Sequence, residues 1–440
     1  MMQDLDAASA IKDERTAPAP ALRPGQRADR FYLLRILLLL AAVVAPLWHL
    51  HVIDTHMLAD TGLTPHFSDL IPRLIAAKAA LAGRDPYSPG VLREVQTVWY
   101  GRPLTTADEV ERLGFWYPAH VVILLDGLTN CSWASAQLLF FLVVGPLLAA
   151  GFWLLVRLLA LPLTGARTAA VVFLSFCSWP VVWALRLQQL TLLVAALVFI
   201  ACHLIRKGHM AAAGVLLGIA TIKPQLVLLL VLWLVLWSWI HRTWSFIASF
   251  GVTIAMLFLW SERLVPGWLP RWIAAVRAFR QATATMLPLQ MMFGDWVGSI
   301  LTLLLVGWSG FLLWRLRRSS PSSREFGWAI SLVLATTVCT IFTAPGLIYN
   351  QILLVPACLL VMYTKPVGYY AGLLRRLMLG FLSWGFISVL VAVVGETALK
   401  PGAFWGILPF ENSWLPIILT ACCSWLLHET TFHGIRLAHD

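Results

Sequence analysis

A chain of 440 residues that is 60% hydrophobic and 12% charged, with a mean hydropathy of +0.80, falls outside the ordinary soluble class, whose apolar usage is roughly 45–50%. Its net charge of +11 does not call for nucleic acid: the basic residues cluster beside apolar runs, as the positive-inside rule and attraction to anionic headgroups require. The 7 cysteines lie mostly within apolar runs, with no CxxC pair or Cys/His grouping, and read as small packing residues.

Residues 1–30 are polar, rich in Ala-Pro and arginine, and read as a disordered cytoplasmic tail ahead of one helical bundle over 31–440. The first apolar run, 31–53, is long enough to span, and the basic tail before it places the N-terminus inside. A polar outer region follows over 54–133. Its centre is Ser68–Tyr87, SDLIPRLIAAKAALAGRDPY. Ser68 has the chemistry of an N-cap, and Pro72 falls in the first turn, where proline is tolerated. Leu70, Leu74, Ala77 and Leu81 share one helical face, while Asp69 and Arg73 lie one turn apart on another. Gly83 ends the helix and Asp85-Pro86 opens a turn. The expectation is a short amphipathic helix at the membrane surface, with Asp69 turned into a site. A charged stretch at 107–112 and the step Phe115-Trp116-Tyr117-Pro118 come next, and 120–128 is too short to span.

Further spans are expected at 134–156, 168–185, 190–205, 210–222, 225–240, 244–260, 296–314, 327–343, 350–363, 377–395 and 414–428, about twelve in all, an all-α polytopic membrane protein. The pieces 210–222 and 350–363 are short and invite tilting or breakage. In this arrangement the inner connections carry Arg157, Arg167, Arg206, Lys207, Arg242, Arg315, Arg317, Arg318, Arg324, Lys365, Arg375 and Arg376. The outer ones beyond residue 133 carry fewer: Arg186, Lys223, Arg263, Arg271, Arg277, Arg280 and Lys400. Within the outer loop 261–295, Trp272, Ala275 and Phe279 recur at helical spacing, which predicts an interfacial helix. A third outer loop, 396–413, is short and aromatic.

Polar residues in such a chain need a reason. Asp69 is an outer carboxylate able to act as a general base, or alternatively a surface residue paired with Arg73. Asp54, Asp60 and Asp85 are its rivals, Asp85 having the simpler role of turn former. Arg186, Gln188, Gln189 and Thr191 form a polar group at the outer end of one hairpin, and Tyr349-Asn350-Gln351 another. Lys223 lies between two apolar runs, where an ionisable group is costly in lipid and is a functional candidate unless it snorkels to the interface. His51, His56 and His66 show no ligand spacing and read as interfacial.

These pieces together resemble glycosyltransferase family 87, a membrane mannosyltransferase-like group. The resemblance rests on Asp69 followed by a helix, and on the turn Gly83-Arg84-Asp85-Pro86-Tyr87. The Phe115-Trp116-Tyr117-Pro118 step is the third element, with Ala119 where the family has a second proline. The fourth is a partial Gly-Gln-x-Asn element, in which Gln188 replaces the glycine, Gln189 matches and Thr191 replaces the asparagine. The run Ala213–Pro224 completes the set, ending in Lys223-Pro224. It implies a multi-span fold of the C-type glycosyltransferases, which use lipid-phosphate sugars on the outer membrane face, with an aspartate of the first outer loop as base.

Carried onto this chain, the resemblance implies Asp69 as the catalytic base. Beside it, the placement of the basic residues suggests Lys223 and Arg186 as holders of the donor phosphate, with Arg73 or an arginine of 261–295 assisting. Tyr87, Tyr117, Gln188, Gln189, Tyr349, Asn350 and Gln351 would line the substrate. The partners would be a polyprenyl-phosphate sugar, a lipid or glycan acceptor and membrane lipids, at a bacterial inner membrane serving the cell envelope. No cofactor and no metal is expected, because no acidic cluster has hard-cation spacing. The rival expectation is a transporter or flippase of a lipid or lipid-linked sugar. That reading would need facing ionisable residues at mid-membrane depth, whereas the polar residues here gather at outer hairpin ends.

Overall fold

The computed structural model describes residues 68–105, 114–161, 163, 165–283, 286–341, 347–363, 375–383 and 417–422. The expectations for the tail, the span 31–53, the histidines 51, 56 and 66, Asp54, Asp60, the stretch 107–112 and the loop 396–413 lie outside them. Of the spans 377–395 and 414–428, only the helical pieces 375–383 and 417–422 are described.

Every described element is helical. In chain order they are α1 (Leu70–Leu81), α2 (Pro89–Tyr100), α3 (Val121–Thr129), α4 (Trp133–Leu158), α5 (Gly165–Phe176) and α6 (Trp179–Arg186). Next come α7 (Thr191–Arg206), α8 (Met210–Ala220), α9 (Pro224–Ile240), α10 (Trp244–Leu264), α11 (Trp268–Thr283), α12 (Pro288–Phe293) and α13 (Asp295–Arg315). A 3₁₀ turn Leu316–Arg318, α14 (Arg324–Thr340), a 3₁₀ stretch Leu347–Leu354 and α15 (Val355–Tyr363) complete the set.

Length decides which of these can cross a bilayer. At 1.5 Å per residue against a core of about 30 Å, α4, α10 and the stretch Asp295–Arg318 are long and apolar enough. The expected span 168–185 is broken. Its two halves, α5 and α6, are bent by 55° at a break of a few residues, where Ser178 holds the N-cap position without a side-chain capping bond and Pro180 opens the second helix. The two together make a fourth candidate span. The pieces flagged as short are short: α8 runs only 11 residues, and the region of 350–363 is 3₁₀ before it becomes α15. Such elements sit at membrane depth only where other helices cover them. The helix α3, at 9 residues, is also too short to span.

The core forms where these pieces meet. α4 packs on α7, α9 on α14, and α6 on the 3₁₀ stretch Leu347–Leu354. Phe152 of α4 lies 5.3 Å from Phe176 and 5.7 Å from Phe199, binding α4, α5 and α7 through ring contacts. Trp233 and Trp237 of α9 both meet Phe326 of α14 at 5.6 Å. Outside this core, α10 shows Val252, Met256, Leu259 and Trp260 to the surroundings, and α13 shows Trp296, Ile300, Leu303 and Leu304. A soluble protein rarely carries such patches; facing lipid, they need no cover.

α8 reaches α10 through Gly214 and Gly218, a small-xxx-small pair. A Cβ at Gly218 would stand 2.6 Å from Thr253 Cγ2, and one at Gly214 would stand 2.6 Å from the Phe246 carbonyl oxygen. Without side chains there, the two backbones pack directly. This contact positions the α8–α9 connection that holds Lys223. Replacing Gly218 with leucine should force the pair apart at a cost of about 1–3 kcal/mol and lower the unfolding temperature in detergent. Gly251→Leu, on the same α10 but with nothing within 4 Å of its Cβ position, should leave it unchanged. Equal melting of the two variants would show that α8 and α10 do not depend on this approach.

Candidate active site

α1 begins one residue later than capping chemistry predicts. Asp69 holds the N-cap position with helical dihedrals and no side-chain capping bond, so its carboxylate is not consumed by its own helix. Ser68 Oγ accepts weakly from the Leu70 amide at 3.3 Å and donates to Gln188 Oε1 at 2.5 Å. The Asp69 amide donates to the Leu187 carbonyl at 2.9 Å. The start of α1 is thus pinned to the α6–α7 connection. Gly83 does end the helix in the left-handed region, with φ of +74°. The expected one-sided amphipathic helix is not what forms. Ile71, Arg73, Ala76, Ala79 and Ala80 are buried along with Leu70, Leu74 and Ala77, whereas Leu81 is exposed. Alanines on the second face let α2 and α3 pack against it, so α1 is enclosed in protein.

One atom organises the side chains around Asp69. Gln189 Oε1 accepts from Arg73 Nη2 at 3.0 Å and from Lys223 Nζ at 2.9 Å, with the Tyr117 hydroxyl at 3.5 Å. Arg73 also donates to the Tyr117 hydroxyl at 2.6 Å and to the Asp69 carbonyl, and its Nη2 lies 3.7 Å from Asp69 Oδ2. Lys223 donates to Thr191 Oγ1 at 2.6 Å, and Thr191 donates to Asn350 Oδ1 at 3.3 Å. The ammonium sits 4.7 Å above the Tyr349 ring, and Tyr349 hydrogen-bonds Gln189. Arg73 is 5% and Lys223 4% exposed, against 21% for the Asp69 side chain. Two cations converge inside the protein, and the carboxylate beside them is the least buried of the three.

The electrostatics follow from that burial. Desolvation lifts the Asp69 carboxyl above its ordinary 3.8, while Arg73 and then Lys223 pull it back. Desolvation, with Arg73 adding to it, holds Lys223 well below 10.5, and Asp69 opposes. The Tyr117 phenol is pushed up to about 12, first by burial, and so stays a neutral donor. The cluster is short of negative charge, which is what an arriving anion would supply.

Other predicted residues support this cluster from its edges. The Tyr87 hydroxyl donates to the Tyr117 carbonyl at 2.7 Å, and the Tyr87 amide donates to Asp85 Oδ1 at 3.0 Å, confirming Asp85 as a turn former. Gln351 is buried beside Asn350. Arg186 stands at the end of α6, its guanidinium 5.7 Å from the Trp183 ring. Gln188 has φ of +52°, a left-handed backbone costing a non-glycine residue about 1–2 kcal/mol. In exchange, this chain gains a carbonyl that takes bonds from Ser68 and from Gln137 Nε2 at 3.1 Å.

α11 roofs the site. Trp272 Nε1 donates to the Trp116 carbonyl at 3.1 Å, Phe279 meets Trp116 at 5.1 Å, and Arg271 pairs with Asp85 at 3.2 Å. Two residues escaped the sequence reading. Gln137 is a lone amide in apolar α4, a signal that was present. His120 directly follows the Tyr117-Pro118-Ala119 step. Its ring meets Trp268 edge-on at 6.2 Å, its Nε2 is buried without a partner, and burial lowers it to about 4. It is therefore a neutral imidazole close to Tyr117 in sequence and to the Thr221 backbone in space.

Among the described residues, these features define a helical integral membrane protein with a buried cation pair beside a partly exposed carboxylate. The model of glycosyltransferase family 87 matches residues 115–345, just over half of the chain, and the protein belongs to that family. It is thereby a glycosyltransferase, acting between a sugar donor and an acceptor. The matched region includes Tyr117, Gln189 and Lys223; Asp69 and Arg73 precede it, and Tyr349 to Gln351 follow it. No curated protein and no solved structure matches the chain.

Gln189→Leu should leave both cations without their common acceptor. An unsatisfied buried charge costs about 1–3 kcal/mol or more, so the variant should unfold at lower temperature than the parent. Gln189→Glu, which keeps the acceptor and adds charge, should not. Equal loss in both variants would mean that the shared bond carries no stability.

Proposed function

We propose that the protein transfers a sugar, mannose or a related hexose or pentose, from a polyprenyl-phosphate donor to a hydroxyl of a lipid or glycan acceptor. The reaction takes place on the extracytoplasmic face of a bacterial inner membrane, with inversion at the anomeric carbon. The observation that carries this reading is the convergence of Arg73 and Lys223 on Gln189 Oε1 beside the partly exposed Asp69. Family membership supplies the transferase chemistry. The charge arrangement supplies the reason for a phosphate leaving group.

In a single displacement the acceptor oxygen forms its bond to the anomeric carbon as the bond from that carbon to the phosphate oxygen breaks. The bonding pair leaves with the polyprenyl phosphate, and the acceptor proton passes to Asp69. The departing phosphate gains negative charge, and fixed cations aimed at it in a dry site are the largest source of catalysis. Lys223 and Arg73 are those cations. Both are held on the same acceptor, Gln189 Oε1, where their charges oppose one another. A phosphate relieves that repulsion and restores the lysine's preference for its proton. Arg186 at the end of α6 receives the outer side of the same phosphate. Tyr117, partly exposed, offers its ring face and hydroxyl to the sugar. Tyr87, Gln188, Tyr349, Asn350 and Gln351 hold that surface in place from behind.

Folded Asp69→Asn protein should lose about 10²–10⁴ in the rate of sugar transfer from a labelled polyprenyl-phosphate donor; near-normal turnover would remove Asp69 from the reaction. Lys223→Ala should raise the donor KM, and unchanged donor kinetics would end its phosphate role. The pH profile gives an independent check. The base works only when deprotonated, so activity should rise with pH through an acid limb centred above 3.8, because burial raises Asp69. Arg73→Met removes the largest opposing charge, which raises the carboxyl further and moves the limb to higher pH. A limb that stays in place or moves down would mean that Asp69 is not the titrating group.

A further inference from the structure

The far end of α7 holds a second charged constellation that the transfer reaction does not use. Thr191, in the Lys223 cluster, and Arg206 are the two ends of this helix, about 22 Å apart at 1.5 Å per residue. Around Arg206 a cavity of about 400 Å³ opens between the C-terminal turn of α4, the start of α5 and the end of α7. That is within the usual range for small-ligand sites, about 300–1,000 Å³. Arg157, His203, Arg206 and Lys207 line it together with Trp153 and Thr168, and no carboxylate is among the lining residues. The guanidinium of Arg157 lies 5.2 Å from the Trp153 ring, and that of Arg206 donates to the Leu158 carbonyl. Both arginines are thereby oriented at the cavity's edge.

His203 is the second, independent observation. It is 8% exposed, and the charges of Lys207, Arg206 and Arg157 all bear on its ring. The ring bonds the Leu154 carbonyl, while Nδ1 is buried with no partner. A buried polar nitrogen left unpaired costs about 1–3 kcal/mol. In the neutral tautomer that donates from Nε2 to a carbonyl, Nδ1 is an acceptor. The cavity therefore offers several positive charges and one hydrogen-bond acceptor at its buried side.

We propose that this cavity is a binding site for a phosphate that carries a hydroxyl close by, either the headgroup of an anionic lipid such as phosphatidylglycerol or free hydrogen phosphate. The arginines and Lys207 hold the phosphate oxygens, and His203 Nδ1 accepts from the hydroxyl. Arginine suits the phosphate through its paired donors. The apolar rim of Val156, Leu161 and Leu163 suits the first carbons of a lipid. The site lies at the end of the bundle that the positive-inside rule assigns to the cytoplasm. It stands independently of the transferase reading.

The test uses the full chain in detergent. Native mass spectrometry measures retention of phosphatidylglycerol against phosphatidylcholine, and a melting assay measures the response to inorganic phosphate. Arg157 and Lys207 are both exposed at the surface, so the double variant Arg157→Gln, Lys207→Gln keeps the buried framework. It should lose about tenfold or more in phosphatidylglycerol retention. Arg318→Gln, an exposed basic residue outside the cavity, should retain the lipid as the parent does. Stabilisation by inorganic phosphate that the double variant abolishes would assign the free anion; selective lipid retention without it would assign the headgroup. Retention unchanged in the double variant, or lost equally in Arg318→Gln, together with no phosphate response, would overturn the site.

Discussion

One side-chain oxygen, Gln189 Oε1, sets the terms for the rest of this protein. It accepts from a guanidinium and an ammonium that are both more than nine-tenths buried. Like charges in a dry interior repel, and burial alone already disfavours each of them. What holds them is a ring of neutral acceptors and aromatic faces: Gln189, Thr191, Tyr117 and Tyr349. None of these cancels charge. The cluster is stable enough to form, yet it retains an unfilled demand for an anion, and the one carboxylate at hand, Asp69, is the partly open one.

Building such a cluster requires chain ends at one depth, and the fold supplies them by breaking its helices. α5 and α6 bend by 55°, so that α6 delivers Leu187, Gln188 and Gln189 to the N-terminus of α1. α8 is too short to cross a bilayer and stops at Thr221, which leaves Lys223 inside protein. The 3₁₀ stretch Leu347–Leu354 brings Tyr349 and Asn350 against α6 and α7. Irregular backbone at these positions is tolerated because neighbouring helices bury it in protein. α11, docked through Trp272, Phe279 and Arg271, covers the Tyr117 segment from the remaining side.

Much of this was legible in the sequence because the bilayer makes apolar length and polar exceptions easy to see. The long helices α4, α10 and α13 follow directly from apolar runs. Gln189, Thr191, Lys223 and Asn350 stand out as exceptions within or beside such a run, Asp69 and Arg73 as a charge pair one turn apart on an outer helix, and the structure brings them together. What stayed hidden depends on contacts between distant segments. Periodicity gave α1 one buried face, but its alanines allow a second face to pack, which no local pattern reveals. The break between α5 and α6 falls at Ser178-Trp179-Pro180, where proline at the second helical position is as good a helix starter as a helix breaker. Gln188 was visible as a member of a polar group and as a substitution for glycine; its left-handed backbone and its bonds to Ser68 and Gln137 came from the fold. The His203 cavity left no mark at all, because its basic residues read equally well as charges flanking a span.

The most direct measurement is a cryo-EM structure of the full chain with a non-hydrolysable polyprenyl-phosphonate sugar bound. The account predicts phosphonate oxygens within hydrogen-bond distance, ~3 Å, of Lys223 Nζ and Arg73, with the anomeric carbon on the side facing the Asp69 carboxylate. A phosphonate seated away from both cations, on the arginines of α11 or at the far end of α7, would contradict it.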